Sequence, residues 1–187
     1  MPFQILYDHQ LADAGRYRTL VLAGCAAMSD QQLEQVRAYV DKGGRLCVVG
    51  PLATHDHWMR PRTKPGLDDL PDSRTLRVSE NGDSLAAIRK ACGTFSATVD
   101  AQPGLCAEYT AQEKRRLVHL VNYRPDELLR DVAVAVRIPQ GRKVRSVRLV
   151  SPDHSDFPAI VPKIAGQSVS FTVPEVAVYT IAVIELQ

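Results

Sequence analysis

The sequence has few cysteines and no Cys-x-x-Cys pair, which excludes a zinc knuckle and a thioredoxin-type redox motif. The four cysteines are widely separated, at Cys25, Cys47, Cys92 and Cys106. Cys47 lies within an apolar run, where a cysteine is usually a small buried hydrophobe. The N-terminus lacks a basic segment followed by an apolar stretch, so no secretory signal is predicted. Reduced thiols and a cytoplasmic location are therefore expected.

The chain also lacks a strong excess of either charge. Its 187 residues include 23 basic and 21 acidic side chains, for a net charge of +2. No Lys/Arg block is interleaved with aromatic residues, so nucleic-acid binding is not expected. The longest apolar runs, such as 176–184, are too short to span a bilayer, so no membrane partner is expected.

Complete catalytic motifs are missing as well. The sequence contains no Gly-x-Ser-x-Gly elbow, no Gly-x-Gly-x-x-Gly loop and no phosphate-binding Gly-Lys-Ser/Thr loop. Its carboxylates do not form a convincing pair for glycosidase chemistry, which needs two carboxyls facing each other across a sugar. We therefore predict no catalytic residue, no cofactor and no metal in this chain.

The first half of the sequence alternates strand and helix patterns. Strands are predicted for three apolar runs, Phe3–Tyr7, Thr19–Ala23 and Arg45–Val49. A helix between the last two begins at Ser29, with Gln32 completing a capping box, and ends at Gly43-Gly44. Its apolar side chains fall on one face, namely Leu33, Val36, Tyr39 and Val40. A strand, a helix and a second strand in this order predict a parallel βαβ unit.

A long loop follows, over Thr54–Asp72, where prolines and charges interrupt any apolar period. Loops of this length usually serve function or assembly, or are disordered. After it, Thr75–Val78 is a candidate strand. A second helix is predicted from Asp83 or Ser84 to Gly93.

The second half contains only strand patterns. Seven segments rich in Val, Ile, Tyr and Thr are predicted to be strands: 95–99, 105–110, 116–122, 131–138, 144–150, 168–173 and 178–185. One of them alternates strictly, placing four apolar side chains on one face: Val132, Val134, Val136 and Ile138. The predicted fold class is therefore α/β plus all-β, with a parallel-sheet domain over 1–93 and an antiparallel β-sandwich over 94–187.

Cys25 is the first candidate for a functional residue, because it follows a strand and precedes the Ser29 cap. A reactive thiol needs a lowered pKa, from a helix N-terminus or a nearby base. No histidine partner is identifiable in the sequence. A hydrolase using Cys25 stays an alternative interpretation.

The loop holds a second candidate, formed by His55, Asp56, His57, Trp58 and Arg60. His-x-His with an aspartate can ligate a metal, but a third well-spaced ligand is missing. The lone Trp58 can instead stack on a carbohydrate or fill an interface, and the cluster can also be a solvated loop. The carbohydrate-binding interpretation adds tyrosine platforms at Tyr109 and Tyr123. His119, on a strand, is interpreted as structural.

Two stretches carry a resemblance to a known family. Tyr17–Arg62 resembles the trimerisation domain of family 42 β-galactosidases, through Met28-Ser29-Asp30, Tyr39-Val40 and Gly43-Gly44 followed by a loop with Asp and Arg. The strands from Arg115 onward resemble the small C-terminal β-sandwich of such glycoside hydrolases. The resemblance implies a partial flavodoxin-like fold, as in class I glutamine amidotransferases, for the first domain.

The resemblance also implies that this chain has a function but no catalytic residues. In amidotransferase-like hydrolases, the strand after Gly-Gly ends at an elbow with a nucleophilic cysteine. The elbow here is Val49-Gly50-Pro51-Leu52-Ala53, which has no nucleophile. The catalytic (β/α)8 barrel of the resembling enzymes does not fit in this length. We therefore expect a non-catalytic oligomerisation region of a glycoside hydrolase, a homo-oligomer with a trimer implied, whose partner is the missing barrel.

Overall fold

The computed structural model describes residues 3–124, 126–154 and 156–187. The chain divides into two compact units, Gln4–Thr94 and Phe95–Gln187. The first unit contains a parallel sheet with helices, and the second contains only strands. The mixed α/β plus all-β class predicted from the sequence is therefore confirmed. None of the helices in the described ranges has the length and apolar character needed to cross a bilayer.

The first unit is built on three parallel strands in the order β1-β2-β3, namely Thr19–Ala23, Arg45–Val49 and Thr75–Val78. β1 pairs with β2 in parallel, from Thr19 opposite Arg45 to Ala23 opposite Val49. Helix α1, Asp30–Asp41, connects these two strands. The predicted βαβ unit is thus confirmed.

Both ends of α1 follow from its sequence. The Ser29 side chain accepts a hydrogen bond from the Gln32 backbone at 3.2 Å, and the Gln32 side chain accepts one from the Ser29 backbone at 2.7 Å. This reciprocal pair is the predicted capping box, which satisfies two N–H groups that the helix leaves unpaired. Gly43, with φ 98°, turns the chain away after the helix in a conformation that favours glycine.

The parallel sheet is covered on both faces. Leu20, Leu22, Leu46 and Val48 pack with the apolar side of α1 in one core. Neighbouring strand residues point to the opposite face, where the Thr19 hydroxyl lies 3.4 Å from the Ala91 carbonyl of α2, Ser84–Cys92. Burying both faces is typical of parallel sheets.

The prediction of a strand at Phe3–Tyr7 is wrong. These residues form no ladder, and Phe3, Ile5 and Tyr7 are exposed. A 3-10 helix, Asp8–Arg16, follows instead and packs Leu11 and Ala14 into the core beside α1. The apolar run has no neighbouring strand to pair with, and an unpaired strand leaves its backbone hydrogen bonds to water.

The second unit is a β-sandwich of two four-stranded antiparallel sheets. One sheet has the order β4-β7-β10-β9 and the other β5-β6-β11-β8. The strands are β4 Ala97–Asp100, β5 Leu105–Ala111, β6 Arg115–Asn122, β7 Leu129–Arg137, β8 Val144–Val150, β9 Lys163–Ala165, β10 Ser168–Val176 and β11 Tyr179–Leu186. Seven of them match the predicted strands, and β9 was not predicted.

The two sheets of the sandwich enclose one core. Val132, Val134 and Val136 of β7 are each only 1% exposed, as their alternation predicts. They pack in the same cluster as Leu120 of β6 and Ile184 of β11, which belong to the facing sheet. The inward-facing side chains of both sheets therefore form a single hydrophobic layer, as in sandwich folds.

Candidate functional site

The carboxyl ends of the three parallel strands lie side by side, at the edge where α/β proteins usually place their active sites. Gly24, after β1, donates its N–H to the Val49 carbonyl at 2.9 Å. Gly50, after β2, donates to the Val78 carbonyl at 2.9 Å. Both glycines have positive φ, 62° and 76°, so the chain turns sharply after β1 and after β2. Catalytic side chains, if the unit had them, would be expected at this edge.

The elbow after β2 carries no reactive group. It consists of Gly50, Pro51, Leu52 and Ala53, whose side chains cannot act as nucleophiles, acids or bases. Ala53 has a positive φ of 49° and is fully buried, and its N–H donates to the Cys25 carbonyl at 2.8 Å. Leu52 packs against the core. The strained backbone here therefore serves packing and turn geometry.

Cys25 lies beside this elbow, at the end of β1, in an environment that protects the thiol. Burial raises the pKa of its thiol, and the negative charge of Asp8 adds to the increase. Its Sγ lies 3.6 Å from the Ala23 carbonyl. No hydrogen bond joins Sγ to a histidine among the described residues. A nucleophilic cysteine needs the opposite shift, toward the thiolate.

The candidate loop forms a tight turn over residues 55–60, organised by Asp56. One oxygen of its carboxylate, Oδ1, accepts hydrogen bonds from the Trp58 N–H at 2.8 Å and the Arg60 N–H at 2.9 Å. The hydrogen bond from the Arg60 backbone is the main cause that lowers the pKa of Asp56. Met59 completes the turn with φ 61°. Asp56 therefore holds the backbone of this turn through one of its two carboxylate oxygens.

The 55–60 turn is fixed to the N-terminal side of α1. The His55 backbone donates to the Ala26 carbonyl at 2.9 Å and accepts from the Met28 N–H at 3.1 Å. Arg62 donates to the Met28 carbonyl at 2.8 Å and pairs with Asp30 at 2.7 Å. The predicted long loop is therefore anchored at both sides of the turn.

The turn presents its apolar side chains outward. Trp58 is 70% exposed and Met59 is 63% exposed. The His57 ring lies beside the indole, with ring centroids 5.1 Å apart at an angle of 46°. A large apolar surface held on an ordered backbone is suited to contact another molecule.

The structure does not assemble the metal set considered from the sequence. His55 bonds through Nδ1 to the Thr54 hydroxyl at 2.9 Å, and one Asp56 oxygen, Oδ1, accepts two backbone N–H groups. In the described part of the chain, no group of three or more His, Cys, Asp and Glu side chains could hold a metal ion.

The remaining sequence candidates lie in the sandwich. His119 Nδ1 is 2.7 Å from the Tyr179 hydroxyl, and the two rings stack with centroids 6.2 Å apart, which is the structural role expected for this histidine. Tyr123 is 72% exposed, whereas Tyr109 packs partly against the sandwich core. The two tyrosines therefore do not form one exposed stacking surface.

Sequence reasoning missed a cavity at the opposite edge of the parallel sheet, where the strands begin. It is lined by Arg18, Lys42, Arg45 and Arg74 among others. These residues are far apart in the sequence and form no recognisable motif. Their common signal is that each lies just before or at the first residue of a strand, or just after α1.

Comparison with known proteins finds a similar fold within parts of two solved enzymes. No protein-family model matches the sequence, and no curated protein matches it. Alpha-L-fucosidase isoenzyme 2 from Paenibacillus thiaminolyticus is similar in structure, with a TM-score of 0.68 and 16% identity over 94% of this chain and 42% of that one. Gan42B, a GH42 β-galactosidase from G. stearothermophilus, has a TM-score of 0.53 and 8% identity over 92% of this chain and 32% of that one.

Two facts follow from these comparisons. At such identities the likeness concerns the fold alone, and these two similar structures are a fucosidase and a β-galactosidase. The chain spans less than half the length of each of these enzymes. Its fold is therefore similar to a part of each of these two chains.

Proposed function

We propose that this chain is a non-catalytic accessory region of a β-galactosidase-like glycoside hydrolase, which self-associates through its α/β unit. The observation that carries the proposal is the fold match over 94% of this chain to only 42% of a fucosidase chain. A catalytic barrel of the same parent protein is the second partner that we propose, with the β-sandwich packing beside it.

The first unit is proposed to be a degenerate flavodoxin-like domain of the amidotransferase-like kind. In its support, parallel strands β1, β2 and β3 are covered by helices on both faces. The elbow at 50–53 has lost any nucleophile, and the neighbouring Cys25 is held as a thiol because burial raises its pKa. An α/β domain without an active site still has surfaces to bury, and this favours a role in assembly.

The 55–60 turn is the proposed contact in self-association. Trp58 is the most useful anchor, because a large aromatic side chain loses little conformational entropy when it is buried in a partner. Asp56 and Arg62 fix the turn before any partner binds, so its backbone does not need to be ordered at that moment. A contact between this turn and a different surface of the next copy would close into a ring, and a trimer is the proposed ring.

Light scattering on the purified chain tests self-association. We expect the mass of a homo-oligomer at micromolar concentration, and a Trp58→Ala variant with a lower mass at the same concentration. Leu85→Ala is the matched control, since Leu85 is also exposed and lies in the same unit, on α2. A monomeric wild-type chain would overturn self-association. An oligomer unaffected by Trp58→Ala would overturn the role of the turn.

A hydrolysis assay tests the absence of catalysis. We expect no turnover of nitrophenyl galactosides or fucosides by the chain alone. Turnover that survives purification and disappears in Cys25→Ser would support the hydrolase alternative and overturn the proposal. Quenching of Trp58 fluorescence by galactosides would instead assign the turn to carbohydrate binding rather than to assembly.

A further inference from the structure

A cavity of about 580 Å³ opens in the first unit, at the edge where the parallel strands begin. It lies between the first residues of β1 and β2 and the C-terminal ends of α1 and α2. Its size falls within the range of small-molecule sites, roughly 300–1,000 Å³. The elbow and the 55–60 turn lie beyond the opposite ends of the strands, so this cavity is separate from the proposed assembly surface.

The charge of the cavity has a single sign. Arg18, Lys42, Arg45 and Arg74 all line it, and none of the described residues that line it is Asp or Glu. Among the described residues, none of these four cations forms an ion pair with a carboxylate. Four cations around one concave site concentrate a positive potential there, because a low-dielectric wall focuses the field.

The arginines are positioned by backbone carbonyls instead of acidic side chains. Arg18 Nη2 donates to the Thr94 carbonyl at 2.8 Å, and Arg74 Nη1 donates to the Gly43 carbonyl at 2.5 Å. Arg45 Nη1 lies 3.5 Å from the Ala91 carbonyl. A guanidinium has five N–H donors, so one or two bonds to neutral carbonyls orient it and leave both charge and donors available.

These backbone carbonyls offset part of the positive charge of the cavity even when no ligand is bound. Gly43 and Ala91 lie at the ends of α1 and α2, where helices carry partial negative charge that attracts cations. Each helix end amounts to only about half an elementary charge. Two helix ends therefore offset about one of the four positive charges, and the cavity keeps a clear excess.

We propose that this cavity binds a sugar-sized molecule carrying a phosphate or sulfate group. Arginine pairs with such tetrahedral oxyanions through two parallel N–H···O bonds, whereas a neutral sugar forms only weaker hydrogen bonds with the same cations and no ion pair. Thr19 and Tyr17 also line the cavity. Their hydroxyls already donate to the Ala91 carbonyl and to the Gln4 side chain, so each offers an acceptor oxygen to a sugar hydroxyl. This binding role goes beyond assembly and requires no catalysis.

Isothermal titration calorimetry on the full chain at low salt tests the proposal. The probes are galactose 6-phosphate, galactose 6-sulfate, galactose, and inorganic phosphate and sulfate. We expect binding of at least one charged sugar, no binding of galactose, and weaker binding of the inorganic ions. Added NaCl should weaken the binding, because salt screens exposed charges.

The decisive variant is Lys42→Gln combined with Arg45→Gln. Both residues are exposed and neither makes a short side-chain hydrogen bond in the described structure, so folding is not expected to depend on them. We expect the affinity for the charged sugar to fall about tenfold or more, the usual consequence of losing charge-assisted hydrogen bonds. The matched control is Arg142→Gln with Lys143→Gln, which removes two exposed charges of the same types at residues that do not line the cavity and lie outside the 55–60 turn.

Each result of the titrations tests a different part of the proposal. Unchanged affinity in the cavity variant, or an equal loss in the control, would overturn the site. Absence of binding by every charged probe would overturn the proposal as a whole. Inorganic ions that bind as tightly as the charged sugars would overturn the sugar-sized ligand. Because the experiment measures neither mass nor hydrolysis, its failure is distinct from a failure of the proposed assembly role.

Discussion

Replacing Gly44 by alanine should destabilise the α/β unit, because the Tyr39 ring packs directly on this glycine. A Cβ atom built at Gly44 would lie 2.6 Å from Tyr39 Cε2 and closer still to Cζ and Cε1. Tyr39 is only 5% exposed, and its hydroxyl donates to the Arg45 carbonyl at 3.1 Å. The ring therefore cannot give way without losing its packing or this hydrogen bond.

The expected size of the effect follows from these two losses. Overpacking a well-filled site costs about 1–3 kcal/mol. A lost intramolecular hydrogen bond adds about 1 kcal/mol. We therefore expect Gly44→Ala to lower the free energy of unfolding by about 2–4 kcal/mol. Gly15→Ala is the matched control, since a Cβ there would meet no atom within 4 Å; its effect should stay within about 0.5 kcal/mol.

Urea unfolding followed by far-ultraviolet circular dichroism measures this change. The helices of the described structure all lie in the Gln4–Thr94 unit, so the helical signal reports on the unit that contains Gly44. A lower midpoint with an unchanged slope would indicate a loss of stability rather than a change in the unfolded state. The same pair of measurements in a Tyr39→Leu background removes the ring that causes the clash.

The double-mutant comparison decides whether the reasoning is correct. In the Tyr39→Leu background, Gly44→Ala should cost at least about 1 kcal/mol less than in the wild-type chain, because residues in contact do not behave additively. An equal cost in both backgrounds would refute the steric argument. So would a Gly44→Ala effect as small as that of Gly15→Ala.

Three further predictions concern the cap, the sandwich core and pH. Ser29→Ala should cost about 1 kcal/mol in urea unfolding, since it removes the capping box of α1, and an unchanged midpoint would contradict this. Leu120→Ala should cost about 2–5 kcal/mol, because Leu120 is fully buried, whereas Leu85→Ala on the exposed side of α2 should cost far less. Burial raises the pKa of Tyr39, so its contribution to stability is complete below the pKa of an unfolded tyrosine and is lost as pH rises above about 10. An alkaline series of unfolding curves measures this loss, which Tyr39→Phe should reduce.

Periodic segments were predictable from the sequence because one local rule determined each of them. The capping box at Ser29 and Gln32 needs only residues three apart, and the structure contains both of its hydrogen bonds. The alternation in β7 needs only that one face be buried, and Val132, Val134 and Val136 are buried accordingly. The strand predicted at residues 3–7 does not form, and β9 was not predicted, because no local rule determines either segment. An apolar run is not a strand unless a neighbour pairs with it, and β9 is a short edge strand whose three residues are all exposed.

No local sequence pattern predicts the charged cavity, and the topology of the sheet explains why. Parallel strands begin at one common edge, so residues that precede successive strands meet there however far apart they lie in the sequence. Arg18 precedes β1, Arg45 begins β2 and Arg74 precedes β3, and the turn after α1 adds Lys42. The sequence signals for an active site lie at the other edge, where the strands end, and the elbow there carries no reactive side chain. Both edges of this sheet can therefore carry a function, and the calorimetric comparison of the Lys42/Arg45 variant with the Arg142/Lys143 control tests the amino-terminal edge.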